Sequence, residues 1–180
     1  MDTPLVERAL RLLGERLAYH REVELLLVGG AAGMLTGLLP PSRTTADCDV
    51  MALVPQEAAL AVHCAAGQVG QELDLPSTWL NSDVQLLRHA LPTGWKTRRV
   101  WVGTWGLLRV FAVSRVDLIA MKILAGRAQD LEDIRAMKVR TDDVEFVQEH
   151  LRALAAQGIP DAHIEDARLV LNTLEVRSHE

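Results

Sequence analysis

Residues 28–50 read VGGAAGMLTGLLPPSRTTADCDV, and this stretch decides the fold. A short apolar run over 24–28 ends on Gly29-Gly30, which reads as a buried strand running into a tight turn. Asp47 and Asp49 follow with one residue between them. On a strand, side chains at i and i+2 point to the same side, and two rises of roughly 3.3 Å put their Cα atoms about 7 Å apart. Two such carboxylates repel each other unless a cation lies between them, so divalent metal binding is the first reading. The alternative is a pair of solvated strand-end or capping residues. Val50 to Leu53 follow at once, so the strand enters the core.

Working outward, residues 4–18 place Leu5, Ala9, Leu12, Leu13 and Leu17 at helical spacing. A small-residue helix is predicted over 31–39, stopped by Pro40-Pro41, then a polar loop over 42–46. The second strand is predicted over 47–54 and a helix over 56–69. Residues 76–91 read as a loop and a short helix. Segments 98–103 and 107–113 read as a hairpin around Thr104-Trp105-Gly106. Helices are predicted over 115–125, 130–139, 142–156 and 161–176, with breaks at Gly126, Thr141 and 158–160. The expected organisation is an α/β core over 1–113 and a helical region over 114–180 packed on it, or one compact domain.

The chain has 180 residues, 49% of them hydrophobic, which suffices for a sizeable core. Net charge is -5, so non-specific nucleic-acid binding has no global electrostatic support. Cys48 and Cys64 sit in apolar surroundings, as free thiols do in a reducing compartment. The apolar stretch 25–39 falls short of the roughly 20 residues that span a bilayer. The first residues carry no apolar leader segment. The expectation is a cytoplasmic protein with no membrane partner.

Gly29-Gly30 would let backbone approach a phosphate, although a tight strand-to-helix turn explains the pair equally well. No G-K-[ST] follows, which excludes a Walker P-loop. The guanidinium of Arg43 and the hydroxyls of Thr44 and Thr45 suit a polyphosphate, and the aspartates suit Mg²⁺.

A strand ending in Gly-Gly, a helix, then Arg-x-Thr-x-Asp-x-Asp on the next strand resembles the DNA polymerase β-type nucleotidyltransferase superfamily. The run Ser114-Arg115-Val116-Asp117-Leu118-Ile119-Ala120-Met121-Lys122, with Arg127, Asp130 and Asp133-Ile134, is similar to abortive-infection (AbiEii-type) nucleotidyltransferase toxins and their bacterial relatives. Trp79-Leu80-Asn81 also resembles a motif of one such family. The resemblance covers about residues 20–140. It implies an α+β fold, with a nucleotidyltransferase-type mixed sheet flanked by helices and a C-terminal helical region. It implies Mg²⁺ (or Mn²⁺) held by Asp47 and Asp49, an NTP substrate, and Gly29, Gly30, Arg43, Thr44 and Lys122 at the nucleotide. Lys122 would neutralise the triphosphate. Asp133 would be a further acid, orienting Lys122 or helping to activate the acceptor.

Bland readings stand beside these. Ser114-x-x-Asp117 and Asp130-x-x-Asp133 both fit helix caps, and Lys122 could snorkel from a core edge. Superfamily enzymes usually carry a third carboxylate on a later central strand. Here that strand is 107–113, with Arg109 where the acid is expected. The chain then uses one metal, borrows Asp83 or Asp133, or has lost catalysis. The segment 95–101 interleaves basic and aromatic residues, which suits RNA or, alternatively, a hairpin with a solvated basic face and buried tryptophans. The six histidines show no metal-ligand spacing, and Cys48 should face the core.

The leading expectation is NMP transfer from an NTP to a hydroxyl of RNA, tRNA in particular, or of protein. The protein would be the toxin-like component of a toxin–antitoxin or phage-defence pair, with a DNA-binding antitoxin as partner. The alternatives are a small-molecule (antibiotic) nucleotidyltransferase, or a catalytically degenerate nucleotide- or partner-binding module such as an antitoxin.

Overall fold

A computed structural model describes residues 1–158 and 161–174, apart from the side chains of 86–89 and 161. Its described residues form two compact units. The first comprises Met1–Arg88 and Arg98–Val113, and the second comprises His89–Thr97 and the chain from Ser114 on.

The first unit holds a five-stranded mixed sheet. Its strands are β1 (Val23–Val28), β2 (Cys48–Val54), β3 (Leu80–Asn81), β4 (Val100–Trp105) and β5 (Leu108–Ala112), in the order β3-β2-β1-β5-β4. The central strand β1 runs antiparallel to β2 and parallel to β5. Leu25, Leu27, Val110 and Ala112 share one face and are fully buried. Full burial of an aliphatic side chain such as Leu25 or Leu27 is worth roughly 1.5–3 kcal/mol.

Three helices accompany the sheet: α1 (Thr3–Arg16), α2 (Gly29–Leu35) and α3 (Ala59–Glu72). Helix α1 starts where the Asp2 side chain accepts the Leu5 N–H, and it buries Val6, Ala9, Leu10 and Leu13. It packs on α3 and α2 and reaches β4, while α2 lies on β1 and β2.

Helix α2 is shorter than the predicted span 31–39. It begins on Gly29 itself and ends at Leu35. The stop comes before the prolines. The Thr36 hydroxyl turns back to Ala32 O at 2.7 Å, Gly37 takes φ +70°, and the N–H groups of Leu38 and Leu39 both reach Gly33 O. A glycine in the left-handed region ends the helix more directly than a distant proline.

The second unit contains α5 (Arg115–Ala125), α6 (Ala128–Met137), α7 (Thr141–Ala156) and α8 (Asp161–Asn172). Helix α5 packs against α6, α7 and α8, and α7 packs on α8. Gly126 closes α5 at φ +61°, as expected of a C-terminal glycine. The second predicted break falls at Lys138, φ +53°, and not at Thr141, which begins α7. The predicted break at 158–160 and the helix end at 176 lie partly outside the described residues. The short helix α4 (Trp95–Arg98) replaces the start of the expected hairpin, which turns at Gly106, φ +56°. Among the described residues, no helix is long and apolar enough to cross a membrane.

Candidate active site

The antiparallel register pairs Val28, the last residue of β1, with Asp49 near the head of β2. Gly29 follows Val28 at φ +66°, a conformation that L side chains rarely adopt. A Cβ at Gly29 would lie 2.7 Å from Asp49 Oδ2. A Cβ at Gly30 would meet Thr45 Oγ1 at 3.0 Å and the Arg43 guanidinium at 3.5 Å. The glycine pair therefore leaves room for a carboxylate and a cationic side chain to close on the backbone. Gly29, Gly30, Arg43, Thr45 and Asp49 come together in this way.

Thr44 is exposed, while its neighbour Thr45 faces Gly30. The Thr45 hydroxyl donates to Asp47 O at 3.0 Å, and its N–H reaches Met1 O at 2.9 Å. The loop carrying Asp47 is thus held from two sides. Asp47 lies one residue before β2 begins, so strand alternation starts at Cys48 and not at Asp47 as predicted. Cys48 points into the core, fully buried. Burial, and then the charges of Asp47 and Asp49, push its thiol from 9.0 up to about 12. A thiol held that far above neutrality is no nucleophile.

β3 was not expected from the sequence. It pairs Leu80 with Cys48 and Asn81 with Asp49. Asn81 Nδ2 donates to Asp49 Oδ1 at 2.8 Å. Trp79, just before β3, is 1% exposed and donates its indole N–H to Ala66 O at 2.9 Å. That tryptophan is a packing residue. Trp101, by contrast, is 61% exposed.

The position of Arg109 corrects one expectation. Arg109 pairs in register with Glu24 and sits 3.3 Å from Glu24 Oε1, at the far end of the sheet from Asp49. At the Asp49 end, β5 offers Ala112, opposite Leu27, and then Val113, both apolar and buried. Among the described residues, no three His, Cys, Asp or Glu side chains are grouped to hold a metal.

Lys122 and Asp133 lie in the second unit. Lys122 Nζ donates to Asp130 Oδ1 at 2.9 Å and to Asp133 Oδ2 at 2.7 Å, and all three residues are buried. Asp130 Oδ2 lies 3.1 Å from Arg127 Nε without hydrogen-bond alignment. Helix α6 begins at Ala128 with no side-chain cap, so Asp130 and Asp133 do not cap it. Asp117 does serve α5 as a cap partner: Ser114 Oγ donates to its Oδ2 at 2.6 Å and faces its N–H.

Mg²⁺ is commonly held by one or two carboxylates, with water and substrate phosphates completing the octahedron. In number alone, Asp47 and Asp49 match the carboxylates of one such ion. They do not by themselves supply the carboxylates of a two-ion centre.

A mixed sheet with paired glycines after its central strand, facing an aspartate at the head of the next, defines a nucleotidyltransferase-type core. The family model described as nucleotidyltransferase of unknown function (DUF6036) matches residues 6–170, and the chain belongs to that family. No curated protein and no solved structure matches the chain.

Proposed function

We propose that this protein is a divalent-metal-dependent nucleotidyltransferase that moves an NMP from an NTP to a hydroxyl of RNA, tRNA above all, or of protein. The observation that carries the reading is the Asp49 carboxylate packed where Gly29 lacks a side chain, beside Arg43 at Gly30.

In this reading Asp47 and Asp49 hold one Mg²⁺ or Mn²⁺ ion. When bound, it would supply positive charge that offsets the phosphates. Gly29 and Gly30 leave space for phosphate oxygens, and Arg43 adds positive charge beside them. The acceptor hydroxyl attacks the α-phosphorus, the bond to the bridging oxygen breaks, pyrophosphate leaves, and the hydroxyl proton passes to solvent. The protein's part is positioning and charge neutralisation, as in other phosphoryl transfers. Lys122 spends two of its three ammonium donors on Asp130 and Asp133. Asp133 then serves to orient Lys122. The sequence likeness to abortive-infection toxins supports a toxin-like role beside a DNA-binding antitoxin.

A second reading, nucleotide or partner binding without turnover, is favoured by the lack of a three-ligand metal group among the described residues. The test incubates the protein with labelled NTPs, Mg²⁺ or Mn²⁺, and either total RNA or aminoglycosides. D47A and D49A serve as controls. Label on RNA or protein that the controls lose is the expected result. Label on the drug alone transfers the assignment to small molecules. Nucleotide binding without transfer to any acceptor establishes the second reading.

A further inference from the structure

The side-chain amide of Asn81 is committed at both ends. Nδ2 donates to Asp49 Oδ1 at 2.8 Å, and Oδ1 accepts the Asp83 backbone N–H at 3.0 Å. A backbone N–H can only donate, so the amide oxygen must face residue 83 and the NH₂ must face the carboxylate. Asn81 therefore acts on Asp49 as a neutral donor of fixed orientation.

What brings Asn81 there is not strand pairing alone. β3 has two residues and lies at the edge of the sheet. Its anchor is Trp79, whose indole bonds to Ala66 O in α3 and whose ring lies where a Cβ on Gly70 would approach to 3.3 Å. Trp79 O also accepts the Cys48 N–H at 2.6 Å. With Trp79 fixed, Asn81 arrives opposite Asp49 two residues on.

We propose that Asn81 is a positioning residue that fixes the Asp49 carboxylate for a divalent cation and stands where a third acid would otherwise complete the site. The proposal rests on the reading that Asp47 and Asp49 hold the cation of an NTP. Hydrogen-bond partners of ligating carboxylates typically govern about 10–100-fold in metal affinity. An amide supplies that orientation without a third negative charge. A carboxylate at 81 would instead put an oxygen where Nδ2 now lies, 2.8 Å from Asp49 Oδ1. Adjacent oxygens around Mg²⁺, with bonds of about 2.1 Å, are about 3.0 Å apart in an octahedron. N81D therefore turns an orienting contact into a chelating one.

The test is a Mn²⁺ titration of the full chain, following the free ion by electron paramagnetic resonance, with thermal unfolding alongside. The variants are N81A, N81D and D49N. The wild-type chain should bind Mn²⁺ and D49N should not. N81A should bind at least about 10-fold more weakly. N81D should be less stable than wild type without metal and should gain more in melting temperature from Mn²⁺. If D49N loses binding while N81A keeps wild-type affinity, Asn81 is only structural and the proposal fails, whatever happens to the melting temperature. Should N81A not fold, N81D decides, and a Mn²⁺ response no larger than wild type's overturns the proposal. No Mn²⁺ binding by the wild-type chain overturns the metal reading and this role together.

Discussion

The missing Cβ of Gly29 would sit 2.7 Å from Asp49 Oδ2, and Gly29 holds φ +66°. Alanine there meets two separate penalties. The left-handed backbone costs an L residue roughly 1–2 kcal/mol, and the carboxylate must also move. Gly37 provides the comparison, because it has φ +70° with nothing within 4 Å of its Cβ position. Both G29A and G37A should lower the melting temperature, by about 2–4 °C per kcal/mol for a chain of this size. Only G29A should weaken Mn²⁺ and ATP binding, measured by calorimetry. Equal binding by the two variants would show that Gly29 serves the turn alone.

Lys122 donates to both Asp130 and Asp133, and Asp130 also lies beside Arg127. Removing one partner of a buried ion group leaves uncompensated charge and typically costs about 3–5 kcal/mol. K122M should destabilise the chain by that order in urea unfolding. The double variant K122M/D133L also removes the Asp133 charge and should recover part of the loss. A K122M chain within about 1 kcal/mol of wild type would show the triad to be dispensable.

Cys48 makes stability depend on pH on the alkaline side. Its folded-state value of about 12 lies above the ordinary 9.0, so the unfolded chain loses the thiol proton first. The stability is complete below pH 9 and falls as pH rises toward 12. The limiting slope is about 1.4 kcal/mol per pH unit for one proton. The difference in unfolding free energy between wild type and C48A should therefore shift against wild type from pH 8.5 to roughly 10.5. A pH-independent difference would mean that the thiol is not held protonated.

The four tryptophans should separate in acrylamide quenching. Trp101 is 61% exposed and Trp79 is 1% exposed. W101F should remove the most accessible emission and change stability by less than about 0.5 kcal/mol, as surface substitutions do. W79F loses the indole bond to Ala66 and should cost about 1 kcal/mol or more.

The long apolar runs made β1, β2, β5 and the C-terminal helices legible in the sequence, because burial writes periodicity. β3 left no such trace. Its existence depends on Trp79 reaching Ala66, a contact between residues 13 apart that no local pattern records. Asp130 and Asp133 looked like caps because i,i+3 spacing fits both a cap and a shared helix face. Only the start of α6 at Ala128 separates the two meanings. Arg109 stands at the end of its strand away from Asp49. The residue pattern gives the face of a strand, but the parallel register with β1 gives the end. The Gly-Gly and Asp-x-Asp signals were readable because few backbones tolerate them without a reason.

The buried apolar end of β5 also bears on how this lineage could change. Placing an acid on that strand beside Asp49 means a carboxylate at Ala112 or Val113, which are 0% and 1% exposed. An ion buried there without a partner carries a penalty of several kcal/mol. Position 81 is half-buried, lies beside Asp49, and moves from asparagine to aspartate by a single base change. The open mutational route to a fuller acidic centre runs through the sheet's short edge strand, and descendants that took it should carry aspartate after the Trp-Leu pair.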